Sequence, residues 1–462
     1  MTSIRHALRS APDLSGRFLL GGTAAVCLDD LLRGTGLGGR LAELSDRSVL
    51  IAARDQLAAA VTLAELDGLA RRIIVCPPDV SPEHLPSVAA RGEVDAIVSD
   101  GDFPAGAGLD TALRVTCTSA LTPAGAEPHE ERATEWVLLT SGTTGSPKMI
   151  AHTFAGLTAA ITATRSTATD VVWGTFYDIR RYGGLQIFLR AMLGSGSFVL
   201  SSAGEATADF LARLGTHGVT HLSGTPSHWR RALMSPNAGA IAPRYVRLSG
   251  EIADQAILNA LRSRFPIAAV GHAYASTEAG VGFEVNDGLE GFPASLVGAA
   301  GDVDVKIEDG SIRLRSARTA IRYLGAGCEA MADEEGFVDT GDMVERRGDR
   351  YYFLGRKSGV INIGGLKVYP EEVEAAINHH RSVRMSIVRS RRSPIAGSLV
   401  AADVVLKDDR NPPASGRERA DLEREILEVC RQRLAAHKVP ATIRFVAALD
   451  LAPAGKLARR HA

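Results

Sequence analysis

Cysteine is scarce in this chain of 462 residues: Cys27, Cys76, Cys117, Cys328 and Cys430 are odd in number and widely scattered. They make no CxxC pair and no disulfide framework, which fits a reducing cytoplasm. Long apolar runs are missing too. None reaches the roughly 18 residues expected of a transmembrane helix. The apolar stretch at residues 18–20, behind Arg5 and Arg9, is too short for a signal peptide. Nor does one sign of charge dominate, since 52 Lys and Arg against 53 Asp and Glu leave a formal net charge of -1. Nothing global draws the chain to nucleic acid or to an anionic membrane, so any basic site must be local. The expectation is a cytoplasmic protein with neither as a partner.

What is present is ordinary globular material, 45% hydrophobic and 23% charged, at a length that suits two to four domains. Strand-like runs at 48–53 (SVLIAA) and 72–76 (RIIVC) flank an Ala/Leu-rich helical stretch at 56–70. The rhythm returns with strands at 197–200, 219–222 and 245–248, separated by helices at 208–214 and 226–233. Such alternation predicts α/β layers with largely parallel sheets. The turn-rich 123–132 (PAGAEPHEER) reads as a surface loop. A boundary falls near 355–359. Beyond it come a strand at 360–363, a helix at 370–378 opened by Pro and acids, a strand at 398–406, a loop at 408–417 and an amphipathic helix at 418–434. The predicted fold class is α/β, with residues 1–355 as a large N-terminal domain and 356–462 as a small α+β C-terminal domain.

The most informative string is LLTSGTTGSPK at 138–148. An apolar strand ends and delivers Thr140, Ser141, Gly142, Thr143, Thr144 and Gly145, then Ser146, Pro147 and Lys148. Small residues let backbone N–H groups approach an anion, hydroxyls add donors, and Lys supplies countercharge, which is what a triphosphate needs. A Walker loop requires Gly before the Lys, where Pro147 stands. The string resembles the phosphate loop of the adenylate-forming (AMP-binding) superfamily: acyl-CoA and aryl-CoA synthetases, nonribosomal peptide adenylation domains and luciferases.

Four further motifs follow in that family's order, so the resemblance runs from about Ser48 to the C-terminus. YASTE at 274–278 is similar to an aromatic-Gly-x-Thr-Glu motif, with Ala275 in place of Gly. The resemblance implies that Tyr274 packs on adenine, Thr277 meets the α-phosphate and Glu278 holds Mg²⁺; a hard carboxylate suits that ion. In DTGD at 339–342, Asp342 matches the carboxylate that takes both ribose hydroxyls, although an Asx-turn would also use such a string. LGRKSGVINIGGLKVYP at 354–370 places Arg356 at a ribose or phosphate contact and Ser358 at the hinge of a mobile C-terminal domain. In the same segment Gly364 and Gly365 would flank a pantetheine channel, unless they merely form a bulge. PAGKLAR at 453–459 makes Lys456 the lysine that bridges the acid and ATP. Attack of a carboxylate on the α-phosphate crowds anions together, so a mobile cation meets the need.

The family likeness implies ATP-dependent activation of a small carboxylic acid as acyl-AMP, followed by transfer to a thiol. The cofactors are then ATP, Mg²⁺ and CoA, or the phosphopantetheine of an acyl carrier protein. A nucleotide-binding protein without chemistry is the reading of a different class, opposed by the intact Lys148, Glu278, Asp342, Arg356 and Lys456. Arg389, Arg391 and Arg392 could meet CoA phosphates, dock a carrier or stay solvated. The acid pocket is expected around TFYDIRRYGGL at 175–185, SGTPSHW at 223–229, Ser249, Gly250 and Glu251, with Gly184 among its lining residues. Arg181 stands where relatives often carry His. It either faces a polar acid through a bidentate contact or pairs with Asp178 or Glu251. For Gly365 the expected outcome is specific. Gly365→Leu blocks thioester synthesis while acid-dependent pyrophosphate exchange persists; an equal fall in both assays would make Gly365 a folding residue.

Overall fold

The computed structural model describes residues 3–11, 13–103, 112–124, 132–140, 147–162, 170–202, 204–325, 330–363, 366–393, 397–407, 416–450 and 456–457. Two large sheets dominate. One orders its strands Arg322–Tyr323, Lys148–Thr153, Glu135–Thr140, Arg72–Val75, Ser48–Ile51, Ala96–Ser99 and Leu113–Thr116. From Glu135–Thr140 to Leu113–Thr116 the neighbours are parallel, and Lys148–Thr153 turns back antiparallel. The other sheet orders Gly280–Val285, Ala269–Ser276, Tyr245–Ser249, His221–Gly224, Val172–Thr175, Ser197–Val199, Phe18–Leu20 and Ala25–Cys27. Its centre is parallel as well. The expected α/β layering is therefore what the chain adopts.

Helix Gln56–Leu66 shows why this layering holds. Asp55 caps it by accepting from the Ala58 N–H at 2.9 Å, and every residue of the helix is buried. Small Ala and Leu side chains on all faces are what a helix buried on every side requires. It ends at Leu66, short of the expected 70, because Asp67 is used elsewhere. The Asp67 carboxylate accepts from Trp136 Nε1 at 2.9 Å and from the Ile4 N–H at 2.8 Å. The strand expected at 219–222 begins later, at His221. Val219 still closes the preceding helix, its N–H donating to the Leu214 carbonyl at 3.0 Å.

A third, antiparallel sheet of five strands runs Phe292–Pro293, Arg350–Arg356, Val338–Arg347, Ser311–Ser316 and Val303–Glu308. It carries Asp342 and Arg356 as cross-strand partners. After the turn Lys357–Gly359 comes the smaller unit. It has a hairpin, Ile361–Ile363 with Leu366–Val368, and a three-stranded sheet of Val383–Ser393, Gly397–Leu406 and Thr442–Phe445. Helices Pro370–Asn378 and Gly416–Arg433 pack with it, matching the expected helices at 370–378 and 418–434 to within two residues.

One loop ties both large sheets together. Arg180 is 1% exposed. Its guanidinium donates to both carboxylate oxygens of Asp178 and to the carbonyls of Ala53 (2.6 Å) and Arg54 (2.7 Å). The Gln56 side chain accepts from the Ile179 N–H at 2.8 Å and donates to the Ser201 carbonyl at 2.8 Å. Helix Tyr182–Leu193 starts from this loop. A Cβ on Gly184 would lie 2.1 Å from the Asp178 carbonyl oxygen, whereas one on Gly183 would meet only the Tyr177 ring, at 3.7 Å. Gly184→Ala is expected to cost about 1–3 kcal/mol by overpacking. Gly183→Ala should be neutral or slightly stabilising, since Ala favours helix over Gly. Urea unfolding midpoints of the two variants check this contrast.

Candidate active site

Asp342 sits where the antiparallel sheet faces the end of strand Ala269–Ser276. The motif DTGD divides its labour. Asp339 makes the turn, accepting from the Gly341 N–H at 2.9 Å and from Ser311 Oγ at 2.6 Å, and Gly341 takes a left-handed φ of 67°. Asp342 is thereby left to the cleft. Its Oδ2 accepts from the Tyr274 hydroxyl at 2.6 Å and its Oδ1 from Arg356 Nε at 3.0 Å. Each oxygen keeps further acceptor capacity, enough for a cis-diol. Tyr274 lies near-parallel to Phe283 and Phe353 at 5.4 and 5.3 Å between centroids. Burial, reinforced by the Asp342 charge, holds its hydroxyl well above the usual tyrosine range, so it acts as a donor. The Asp342 charge raises the Arg356 guanidinium.

Thr277 and Glu278 occupy the half-buried turn after that strand, with the Glu278 carbonyl accepting from the Ala320 N–H at 2.9 Å. Lys456 completes the group from the far end of the chain. Its Cε would lie 3.5 Å from a Cβ on Gly250, and Thr225 Cγ2 would lie 3.7 Å from the same point. Gly250 has a φ of 85°, so glycine suits both its backbone and the approach of the lysine. Lys456 is solvent-accessible. Dense surroundings, then the Arg356 charge, lower its pKa, against the pull of Glu251, Asp342 and Glu278.

The wall beside Gly250 is aromatic. Helix Pro226–Met234 opens with a capping box in which Thr225 Oγ1 accepts from the His228 N–H at 3.0 Å and His228 Nδ1 accepts from the Thr225 N–H at 3.2 Å. Burial pushes the His228 ring down to about 4. The neutral ring therefore carries its proton on Nε2. It stacks on Phe176 at 5.5 Å and meets Tyr177 edge-on at 5.9 Å. The Tyr177 hydroxyl in turn donates to the Ser249 carbonyl at 2.7 Å.

The remaining expected residues take the following places. Arg181 pairs with Asp79, not with Asp178 or Glu251. Arg180 takes Asp178, while Glu251 accepts from backbone N–H groups. Gly184 packs on the Asp178 backbone. Arg389 pairs with Asp403, which Arg444 also grips through two 2.8 Å bonds. Ser358 lies in the turn between the two units, at the edge of a cleft of about 490 Å³ that also contains Asn362, Arg389 and Asp403. Thr140 and Lys148 are cross-strand partners, and Lys148 Nζ lies 5.2 Å over the Tyr323 ring. Ser141, Gly142, Thr143, Thr144, Gly145 and Gly365 lie outside the described residues. Sequence reading missed His152, which is fully buried, 5.7 Å from Tyr182 and held neutral with a pKa of about 4 by burial. Its apolar strand resembles any other core strand, so no signal marked it.

The fold defines the class: a large body of layered α/β sheets followed by a small α+β unit, with Tyr274, Asp342 and Arg356 hydrogen-bonded together. The chain belongs to the AMP-binding enzyme family: that family's model matches residues 20–314, and the AMP-binding enzyme C-terminal domain matches 372–456. It is 26% identical over 431 residues to the mitochondrial acyl-coenzyme A synthetase ACSM5 of Homo sapiens, covering 88% of this chain and 71% of that one. It is 27% identical to 4-hydroxybutyrate–CoA ligase 1 of Metallosphaera sedula, covering 72% of this chain but only 63% of that relative. Among solved structures, a benzoate CoA ligase from Burkholderia xenovorans LB400 superposes with a TM-score of 0.79 over 99% of both chains, at 18% identity.

Asp342→Asn tests the nucleotide side of the cleft. It removes the charge that holds Arg356 and turns one acceptor into a donor. The expected result is a KM for ATP raised about ten- to a hundredfold, the range for losing a hydrogen bond to a charged group. The KM for the acid should stay near wild type; steady-state kinetics with each substrate varied in turn decide it.

Proposed function

We propose that the chain is an AMP-forming acid–thiol ligase that activates a small carboxylic acid with ATP and passes the acyl group to CoA. The observation that carries this reading is the convergence of Lys456, Arg356, Asp342 and Glu278, from four separate motifs and both structural units. In this reading Asp342 takes the ribose diol, Tyr274 lies against adenine, and Thr140, Lys148 and the loop between them seat the phosphates. Glu278 offers a half-exposed hard oxygen, and Mg²⁺ is commonly held by one or two carboxylates together with substrate phosphates. Such an ion would supply charge neutralisation at the phosphates.

Lys456 orients the acid's carboxylate for in-line attack at the α-phosphorus. The new acyl–oxygen–phosphorus bond forms as the bond to pyrophosphate breaks. Residues 356–462 then turn about Ser358 relative to 1–355, withdrawing Lys456 and bringing Gly365 to the thiol's path. Thiolate attack on the acyl carbon expels AMP and leaves a thioester. Closing the cleft during the first step protects the anhydride from water. CoA is preferred to a carrier protein because the named relatives are CoA enzymes. The aromatic wall of Phe176, Tyr177 and His228 suits an acid with a flat or apolar body, and Arg181, neutralised by Asp79, contributes little charge to it. No described helix is long and apolar enough to cross a membrane, and a cytoplasmic setting is part of the proposal.

The test is Lys456→Ala. It should nearly abolish acid-dependent pyrophosphate exchange yet leave thioester formation from supplied acyl-adenylate largely intact. Equal loss of both half-reactions contradicts the alternation of Lys456 and Gly365.

A further inference from the structure

Glu251 is placed to do more than line the pocket. It follows Gly250 at the end of strand Tyr245–Ser249, and its two carboxylate oxygens point to different parts of the chain. Oε2 accepts from the Ser227 N–H at 2.9 Å, in the first turn of helix Pro226–Met234. That N–H is one of the four a helix leaves without an internal acceptor, and a carboxylate is favourable there. Oε1 accepts from the Leu457 N–H, also at 2.9 Å and 206 residues away. Leu457 directly follows Lys456. One carboxylate therefore bridges a helix of the large body and the main chain that carries the mobile lysine.

Lysine's side chain is long and flexible, so a hydrogen bond to its neighbour's backbone fixes the stem from which the ammonium reaches. Displacement of a reacting group by about 1 Å can cost a hundredfold in rate. Two other polar contacts join the units near this helix. Arg230 Nε donates to the Arg384 carbonyl at 3.1 Å and Arg231 Nη2 to the Leu449 carbonyl at 2.8 Å. Only the Glu251 contact holds the lysine segment itself among these. We propose that Glu251 is a positioning residue that docks Lys456 for adenylation and lets it go when the small unit turns for the thiol step. The role rests on the ligase reading above. It also links the lysine dock to the acid wall, since the same carboxylate caps the helix that bears His228.

The experiment uses the full chain with Glu251→Ala and Glu251→Gln. Glu251→Ala should lower kcat for acid-dependent pyrophosphate exchange about ten- to a hundredfold, the range for a lost charged hydrogen bond. The KM for ATP should move little, and thioester synthesis from supplied acyl-adenylate should persist. Glu251→Gln, which keeps the volume and one acceptor, should fall less, and it carries the test if the Ala variant does not fold. Both half-reactions falling together, or neither falling, overturns the proposal. Amide hydrogen exchange at Leu457 gives a readout without turnover: protection in the wild type and its loss in Glu251→Ala support the dock, and unchanged protection overturns it. Wild-type protein inactive with every acid would defeat the ligase reading, while the Leu457 amide would still decide the dock.

Discussion

The proposed reaction depends on one ammonium held in a mixed field. Dense surroundings and the Arg356 charge disfavour the cation of Lys456, while Glu251, Asp342 and Glu278 favour it; the balance is a lowered pKa. A group of this kind is stabilised when further anions arrive. In the proposed first step two of them, the acid's carboxylate and the α-phosphate, come to the same place. Electrostatic stabilisation held ready for developing charge is among the largest contributions an enzyme can make.

The rest of the fold separates what must stay fixed from what must move. The nucleotide side rests on strands whose partners are set by sheet register, with Asp342 opposite Arg356 and Tyr274 opposite Phe283. The loop at 176–181 is bound to both sheets through Arg180 and Gln56, so the acid wall stands on a rigid base. Contacts between this body and the small unit are of another kind. Arg230, Arg231 and Glu251 reach backbone groups across the boundary. Polar contacts of this sort are typical of units that separate and rejoin.

The parallel sheets were legible in the sequence because their strands are buried apolar runs and their helices alternate with them. The family was legible through motif order more than through any single motif. Harder to read was the antiparallel sheet that carries Asp342: strands such as Val303–Glu308 and Ser311–Ser316 mix charged and apolar residues and are only partly buried. Neighbouring arginines could not be told apart either. Arg180 is the buried tie, and Arg181 pairs with Asp79, a residue about a hundred positions away whose proximity only the fold creates. That Gly184 is required by a close approach to the Asp178 backbone was not visible in the sequence. Glu251 gave no local sign of its bridge to Leu457, since both of its partners are backbone N–H groups.

In the proposed reaction adenylation is a complete step in its own right, performed with Lys456 in the cleft before any thiol is engaged. Rapid-quench measurement of pyrophosphate, using the acid that best supports exchange, tests it directly. With ATP and acid but no CoA, the account predicts a single burst matching the enzyme concentration, then near-arrest, with turnover resuming when CoA is added. Pyrophosphate that appears only once CoA is present would contradict it.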